Sequence, residues 1–190
     1  MTTKSRATIE DLANVPGKAE IVGGELVLMA PTGGRPGYAG DEIFVSLREY
    51  ARRTGRGRAV GDNKAFRVNL PNRDSLSPDA ALYVGPDPGM RFFEGAPVFA
   101  VEVRSEGDYS PQAEESIANK RRDYFAAGTL VVWDVDLLSD DVVRVYRASN
   151  PHTPQSMVGE VLPRLSPPFP AGPCASTTCS HSATTPTPQL

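Results

Sequence analysis

The spacing of apolar residues changes along the chain, and each change marks an element. Thr8 followed three residues later by Asp11 has the form of a capping box, which predicts a short helix closed by Pro16-Gly17. Glu20, Ile21 and Val22, then Glu25 to Met29, flank Gly23-Gly24, so a tight β-hairpin is predicted there. After the glycine- and proline-rich loop Pro31 to Gly37, the residues Ile43, Phe44, Leu47, Tyr50 and Ala51 recur at helical spacing. They predict a helix from about Tyr38 to Arg53 with Gly55 as its stop. Phe66, Val68 and Leu70 alternate with Arg67 and Asn69 as in a half-buried strand. Ser77 to Val84 and Val98 to Arg104 are the next strands, separated by a turn around Asp87-Pro88-Gly89. Ser110 and Pro111 make an N-cap and first-turn proline, Glu114 and Glu115 suit the positive helix end, and Gly128 terminates the helix. Leu130 to Val135 and Val142 to Tyr146 form a last pair of strands joined through Ser139-Asp140-Asp141. The mixture is that of an α/β domain without internal repeats.

This patterning stops at Asn150. Residues 151–190 hold nine of the 18 prolines and only two charged side chains, Glu160 and Arg164. Such a Pro/Ser/Thr-rich segment cannot build a packed face, and it reads as an irregular tail behind a domain of residues 1–150. Removing that acid and base from totals of 23 and 20 leaves 22 acids and 19 bases in the domain, so the net charge of −3 belongs to it. A mildly acidic domain does not announce nucleic-acid binding by total charge, and any such role rests on local patches. Both cysteines (Cys174, Cys179) and both histidines (His152, His181) lie in the tail. The domain therefore has no thiol or imidazole of its own for a cysteine nucleophile, a histidine base or a Cys/His zinc site. Carboxylate, lysine, arginine and hydroxyl chemistry remain. No apolar run approaches the ~18 residues of a membrane span, and no apolar stretch follows a basic start, so the expected location is the cytoplasm.

Glu102 and Arg104 are two apart in a strand and project from the face opposite Phe99, Val101 and Val103. Pro78-Asp79 opens the preceding strand. Two arrangements suit these acids: Asp79 caps a turn and Glu102 is solvated, or adjacent strands bring both carboxylates to one hard cation. Two carboxylates with a backbone carbonyl and water are what Mg²⁺ accepts. In the following helix Ala113, Ile117, Lys120, Tyr124 and Ala127 recur at intervals of four and three, which sets a lysine inside the apolar stripe. Its stem either carries the ammonium out to solvent or delivers it to the metal, where it would offset charge on a phosphodiester transition state.

Pro78-Asp79, Glu102-Val103-Arg104-Ser105, Lys120 with Tyr124 and Gly128, and Trp133-Asp134-Val135-Asp136 together resemble the Uma2 family of small bacterial restriction endonucleases. That family belongs to the PD-(D/E)XK nuclease superfamily. The resemblance runs from about Ala7 to Arg147 and takes in the hairpin with Glu20, Gly24 and Glu25. It implies a restriction-endonuclease-like core, a mixed central β-sheet flanked by helices with the acidic cluster on one edge. It also implies Asp79 and Glu102 as metal ligands, with the Val103 carbonyl as a third, and Lys120 as the catalytic lysine. The superfamily motif places that lysine two residues after the acid, where this chain has Arg104. Glu20 resembles an additional acid that holds a second metal or a water, with a plain hairpin surface residue as the alternative. Asp136 resembles a recurrent family acid of structural type. Gly40 stands where the family often has a histidine, and a shift of reading frame near Asn150 is one explanation of the atypical tail.

These readings converge on a Mg²⁺-dependent DNA endonuclease, with Mn²⁺ as a substitute ion and a homodimer suited to double-strand cleavage. Arg52, Arg53, Arg56 and Arg58, with Arg121 and Arg122, are candidate phosphate contacts; each also suits a solvated helix surface. The rivals are a catalytically impaired nuclease-fold module for nucleic-acid binding or assembly, and a hydrolase of smaller phosphate substrates.

Overall fold

A computed structural model of the chain describes residues 5–157 other than Asp141. In chain order its elements are α1 (Ile9–Ala13), β1 (Ala19–Val22), β2 (Glu25–Leu28), α2 (Gly34–Thr54), β3 (Arg58–Gly61), β4 (Phe66–Leu70) and β5 (Arg73–Leu76). There follow β6 (Ala80–Tyr83), β7 (Phe93–Glu94), β8 (Phe99–Val103), α3 (Pro111–Ala126), β9 (Val131–Val135), β10 (Val143–Arg147) and β11 (Asn150–Met157).

Local chemistry accounts for the ends of most elements. The Thr8 capping box is present, with the Asp11 carboxylate accepting from the Thr8 N–H at 2.8 Å. Gly23 and Gly24 both take positive φ, the two-residue turn that joins β1 to β2 in register Val22↔Glu25. The Ser110 hydroxyl accepts from the Ala113 N–H at 3.1 Å and caps α3. Helix α2 starts at Gly34, inside the stretch expected to be loop. Pro36 falls in its first turn, where a missing N–H breaks no helical bond, and the Gly37 N–H already donates to the Gly33 carbonyl at 2.9 Å.

The central sheet is mixed, as expected, with strand order β11-β10-β9-β8-β6-β3 and one parallel pair, β8 with β9. A second sheet, β2-β1-β5-β4-β7, carries the hairpin. Alternation along the central strands separates two cores. Leu82, Phe99, Val101, Trp133 and Val135 face Ile43, Leu47 and Tyr50 of α2. Ala81, Ala100 and Val132 face the other way, against Phe66 and Leu76 of the second sheet and Tyr124 of α3. Helix α3 therefore lies where the two sheets meet.

Strand β11 corrects one boundary. The first seven residues of the segment expected to be irregular belong to a strand that pairs antiparallel with β10, from Arg147↔Asn150 to Val143↔Met157. Pro151 and Pro154 are tolerated because β11 is an edge strand, whose outer side has no ladder bond to lose. The rest of the tail, including Cys174, Cys179 and His181, lies outside the described residues.

Candidate active site

The register Ala80↔Val101 places the start of β6 beside the end of β8, and this puts Asp79 next to Glu102. Asp79 is joined to β8 twice: its N–H donates to the Val101 carbonyl at 3.0 Å, and its Oδ2 accepts from the Val103 N–H at 2.7 Å. Glu102 projects from the face opposite Val101 and Val103, as its strand position requires. Lys120 arrives from α3, its Nζ 2.8 Å from Glu102 Oε2 and 3.0 Å from Glu20 Oε1. One turn on, the Tyr124 hydroxyl donates to Glu102 Oε1 at 2.6 Å. Lys120 thus does not run out to solvent: its side chain is 15 % exposed and its ammonium is shared by two acids.

Glu20, on β1, is a buried member of this group rather than a hairpin surface residue. Its side chain is 3 % exposed; Oε1 also accepts from the Ser77 N–H at 2.7 Å, and Oε2 accepts from Arg73. The Arg73 Nε donates in turn to Asp123 Oδ2 at 2.6 Å, and the Asn72 amide donates to Asp123 Oδ1 at 3.2 Å. A chain of alternating charge therefore ties α3 to the second sheet through Lys120 and Asp123.

Burial is the largest single influence on the proton affinities, and at Lys120 and Glu20 the neighbouring charges together reverse it. Desolvation, with the Asp79 and Glu20 charges and against the attraction of Lys120, pushes the Glu102 carboxyl up to about 6. Burial alone would lower Lys120, but the Glu102 and Glu20 carboxylates outweigh it and hold the ammonium proton more firmly than usual. Burial would likewise raise Glu20, yet Lys120 and Arg73 keep it ionised below the ordinary range. Tyr124 is held well above the usual phenol value by burial and by the Glu102 charge.

Several members of the site carry no periodic signal in the sequence. Lys18, just before β1, places its Nζ 2.6 Å from Asp79 Oδ1 and 2.7 Å from Asp62 Oδ1. Arg104 follows Glu102 on the same strand face but turns to a different set of partners. Its Nε donates to Asp134 Oδ1 at 2.7 Å, one Nη donates to Asp134 Oδ2 at 2.9 Å, and both Nη groups bond the Glu114 carboxylate. Asp136 accepts from the Leu138 N–H at 3.1 Å and the Tyr109 hydroxyl at 2.9 Å, closing the turn after β9. A Cβ built on Gly40 would meet the Asp79 Cβ at 3.6 Å, so α2 packs directly against the acid site at this position.

The arginines are distributed differently from the acids. Arg52 and Arg53 end α2, while the cleft borders its start at Gly33 and Gly34, about 27 Å away along the helix axis. Arg58 pairs with Tyr83 at the end of β6 remote from Asp79, and it forms a two-pronged bond to Asp87 at 3.0 and 3.1 Å. Arg56 lies between these groups and is exposed. Arg121 lies 3.7 Å over the Tyr146 ring and 3.8 Å from Asp134. Arg122 is exposed and bonds Asn119 one turn back. None of the six borders the cleft.

That cleft, of about 870 Å³, is bordered by Lys18, Asp79, Glu102, Val103 and Lys120, and also by Arg35, Arg104 and Asp134. Its donors suit a small hard cation. Asp79 and Glu102 offer only oxygen, and each carboxylate oxygen keeps a second lone pair beyond the one already engaged by a protein donor. Among the described residues no three His, Cys, Asp or Glu side chains converge as a ready metal cage. Mg²⁺ is ordinarily held by one or two carboxylates with water and phosphate completing its shell, so this donor set fits it.

Among the described residues no helix is long and apolar enough to cross a membrane. No curated protein matches the sequence. The structure is similar to a crystal structure described as a putative nuclease belonging to DUF820 from Anabaena variabilis ATCC 29413. The two share 17 % sequence identity at a TM-score of 0.61, over 80 % of this chain and 85 % of that one, a likeness of fold. The sequence model of the Uma2 family, described as a putative restriction endonuclease, matches residues 7–176 and so continues past Asn150. The chain belongs to the Uma2 family of putative restriction endonucleases.

Proposed function

We propose that the protein is a Mg²⁺-dependent endonuclease that hydrolyses phosphodiester bonds in DNA, with Mn²⁺ able to replace Mg²⁺. The observation that carries this reading is the meeting of Asp79, Glu102 and Lys120 in one cleft, with the lysine ammonium 2.8 Å from the glutamate. Asp79 and Glu102 would hold the ion, with the Val103 carbonyl as a further oxygen; when bound, the ion would polarise the phosphate and acidify a water.

The remaining roles follow from this chain's own groups. Lys120 keeps its proton at neutral pH, because two carboxylates hold it. It therefore acts as a fixed positive charge for the developing phosphate oxyanion and not as a base. Tyr124 and Lys120 each engage one oxygen of Glu102, which fixes the direction of the carboxylate. With Ser77, Arg73 and Lys120 already on its two oxygens, Glu20 serves better to position Lys120 than to hold a second metal. Glu20 stands in the same relation to the lysine as a second-layer carboxylate does to a metal ligand. A homodimer would present two such sites to the two strands of a duplex.

Incubation with supercoiled plasmid in Mg²⁺ and in Mn²⁺, with EDTA controls and Asp79→Ala, tests the reading. Nicking or linearisation that needs both metal and Asp79 is expected, and direct linearisation points to paired sites. DNA left intact by well-folded protein in both metals overturns the endonuclease and leaves a binding or assembly module. Turnover of nucleotides or model diesters, with duplex DNA untouched, moves the substrate to smaller phosphates.

A further inference from the structure

Lys18 lies outside the family motif, yet it is the second ammonium of the cleft. Its side chain is 12 % exposed, and its Nζ is shared between Asp79 Oδ1 at 2.6 Å and Asp62 Oδ1 at 2.7 Å. The two lysines are held in different ways. Lys120 is fixed between Glu102 and the fully enclosed Glu20. Lys18 is fixed between Asp79 and Asp62, which is 39 % exposed. Asp79 Oδ2 accepts from a backbone N–H, Val103, that is fixed in its strand, whereas the donor on Oδ1 is a side chain, Lys18, that can move aside for a cation. An ammonium and a divalent ion on one carboxylate oxygen repel each other strongly in a partly buried site.

We propose that Lys18 is a further catalytic residue: it leaves Asp79 when the divalent ion is bound and, still held by Asp62, contacts the phosphate undergoing cleavage. The inference rests on the metal-dependent nuclease reading. Lys18 then has two effects of opposite sign, weakening metal binding in the free enzyme and stabilising phosphate charge in the complex. A purely structural lysine would not produce that pairing, because its loss would weaken both.

The test measures Mn²⁺ binding to the full chain without DNA, by electron paramagnetic resonance, and plasmid cleavage at saturating metal. Lys18→Met is expected to bind Mn²⁺ about tenfold more tightly and to cleave at least tenfold more slowly, while Lys18→Arg keeps the wild-type metal affinity and recovers part of the rate. Unchanged or weaker Mn²⁺ binding in Lys18→Met overturns the competition at Asp79, and undiminished cleavage overturns the phosphate contact. If circular dichroism shows Lys18→Met unfolded, Asp62→Asn gives the complementary result. Confining Lys18 to Asp79 is expected to weaken Mn²⁺ binding severalfold, and unchanged or tighter binding overturns the inference. A wild-type chain that neither binds Mn²⁺ nor cleaves DNA removes the nuclease reading itself, an outcome distinct from wild-type binding with no response at Lys18.

Discussion

Glu102 and Arg104 stand two residues apart on one face of β8, and each lies at the centre of a buried ionic group. Around Glu102 the acids Glu20, Asp79 and Asp123 join it against Lys18, Lys120 and Arg73, which leaves negative charge in excess. Around Arg104 the charges balance: Arg104 and Arg121 face Asp134 and Glu114. The proton affinities of the two groups differ as well. Glu102 is pushed up to about 6, chiefly by burial, while the Asp134 and Glu114 bonds raise Arg104, and the Arg104 bond lowers Glu114. The balanced group ties β9 to the start of α3 and has no charge left over for a ligand. Both groups border the cleft, but only the unbalanced one has an excess that a divalent cation would relieve.

Exchanging a cation in each group should separate the two roles most sharply. Lys120→Met removes the charge proposed to face the phosphate, and plasmid cleavage should fall about 10²- to 10³-fold. Arg104→Met strips the partner from the nearly enclosed Asp134 and should lower the free energy of unfolding by about 3–5 kcal/mol in urea titrations. The molecules of this variant that remain folded should keep their Mn²⁺ affinity. Rapid cleavage by Lys120→Met, or an Arg104→Met chain as stable as wild type, would erase the distinction.

The burial of Glu102, with Asp79 and Glu20 beside it, also predicts a response to pH. The folded chain holds the Glu102 proton up to about pH 6, against 4.5 for the ordinary group. A group with a raised folded pKa contributes stability fully present below pH 4.5 and lost as pH rises through 6. Above pH 6 the loss is about 2 kcal/mol. Wild type without metal should therefore lose stability between pH 5 and 7 relative to Glu102→Gln, read as the difference in Tm across that interval. Added Mg²⁺, which binds the ionised carboxylate, should shrink the difference. Parallel Tm profiles for wild type and Glu102→Gln would show that Glu102 does not titrate in this window.

These two groups were unequally legible in the sequence. Asp79, Glu102 and Lys120 can be found because each breaks a local pattern: an acid behind a proline, an acid at the end of an apolar strand, a lysine within an apolar stripe. Asp134 and Asp136 could be seen as acids on a strand, but their partners could not. Arg73, Asp123 and Lys18 leave no such mark. Strand β5 reads Arg-Asp-Ser-Leu, and its burial comes from ion pairs and from the Ser75 hydroxyl accepting the Ile21 N–H at 2.8 Å, so no alternation reveals it. Lys18 meets Asp79 only because β1 and β6 belong to different sheets that converge over α3, a relation with no sequence spacing. Strand β11 was hidden for the opposite reason: its prolines argue against a strand, but an edge position tolerates them.

The smallest effect belongs to the basic residues at the end of α2 away from the cleft. Arg52 and Arg53 are exposed in the last turn of α2, and their charge offsets the negative end of the helix dipole. The span of about 27 Å from the cleft equals roughly eight base pairs of duplex rise, so a bound duplex lying along α2 would reach them after crossing the acids. Contacts at that distance hold the substrate without touching the reacting atoms, so they act on binding rather than on the chemical step. The double variant Arg52→Gln/Arg53→Gln should weaken DNA binding severalfold and reduce the slope of log affinity against log salt by about 1 to 2. Cleavage at saturating DNA should stay within about twofold of wild type, since no member of the acid cluster is disturbed. An unchanged salt slope would show that the duplex does not follow α2, and would confine phosphate recognition to the cations around the cleft, Lys18, Arg35, Arg104 and Lys120.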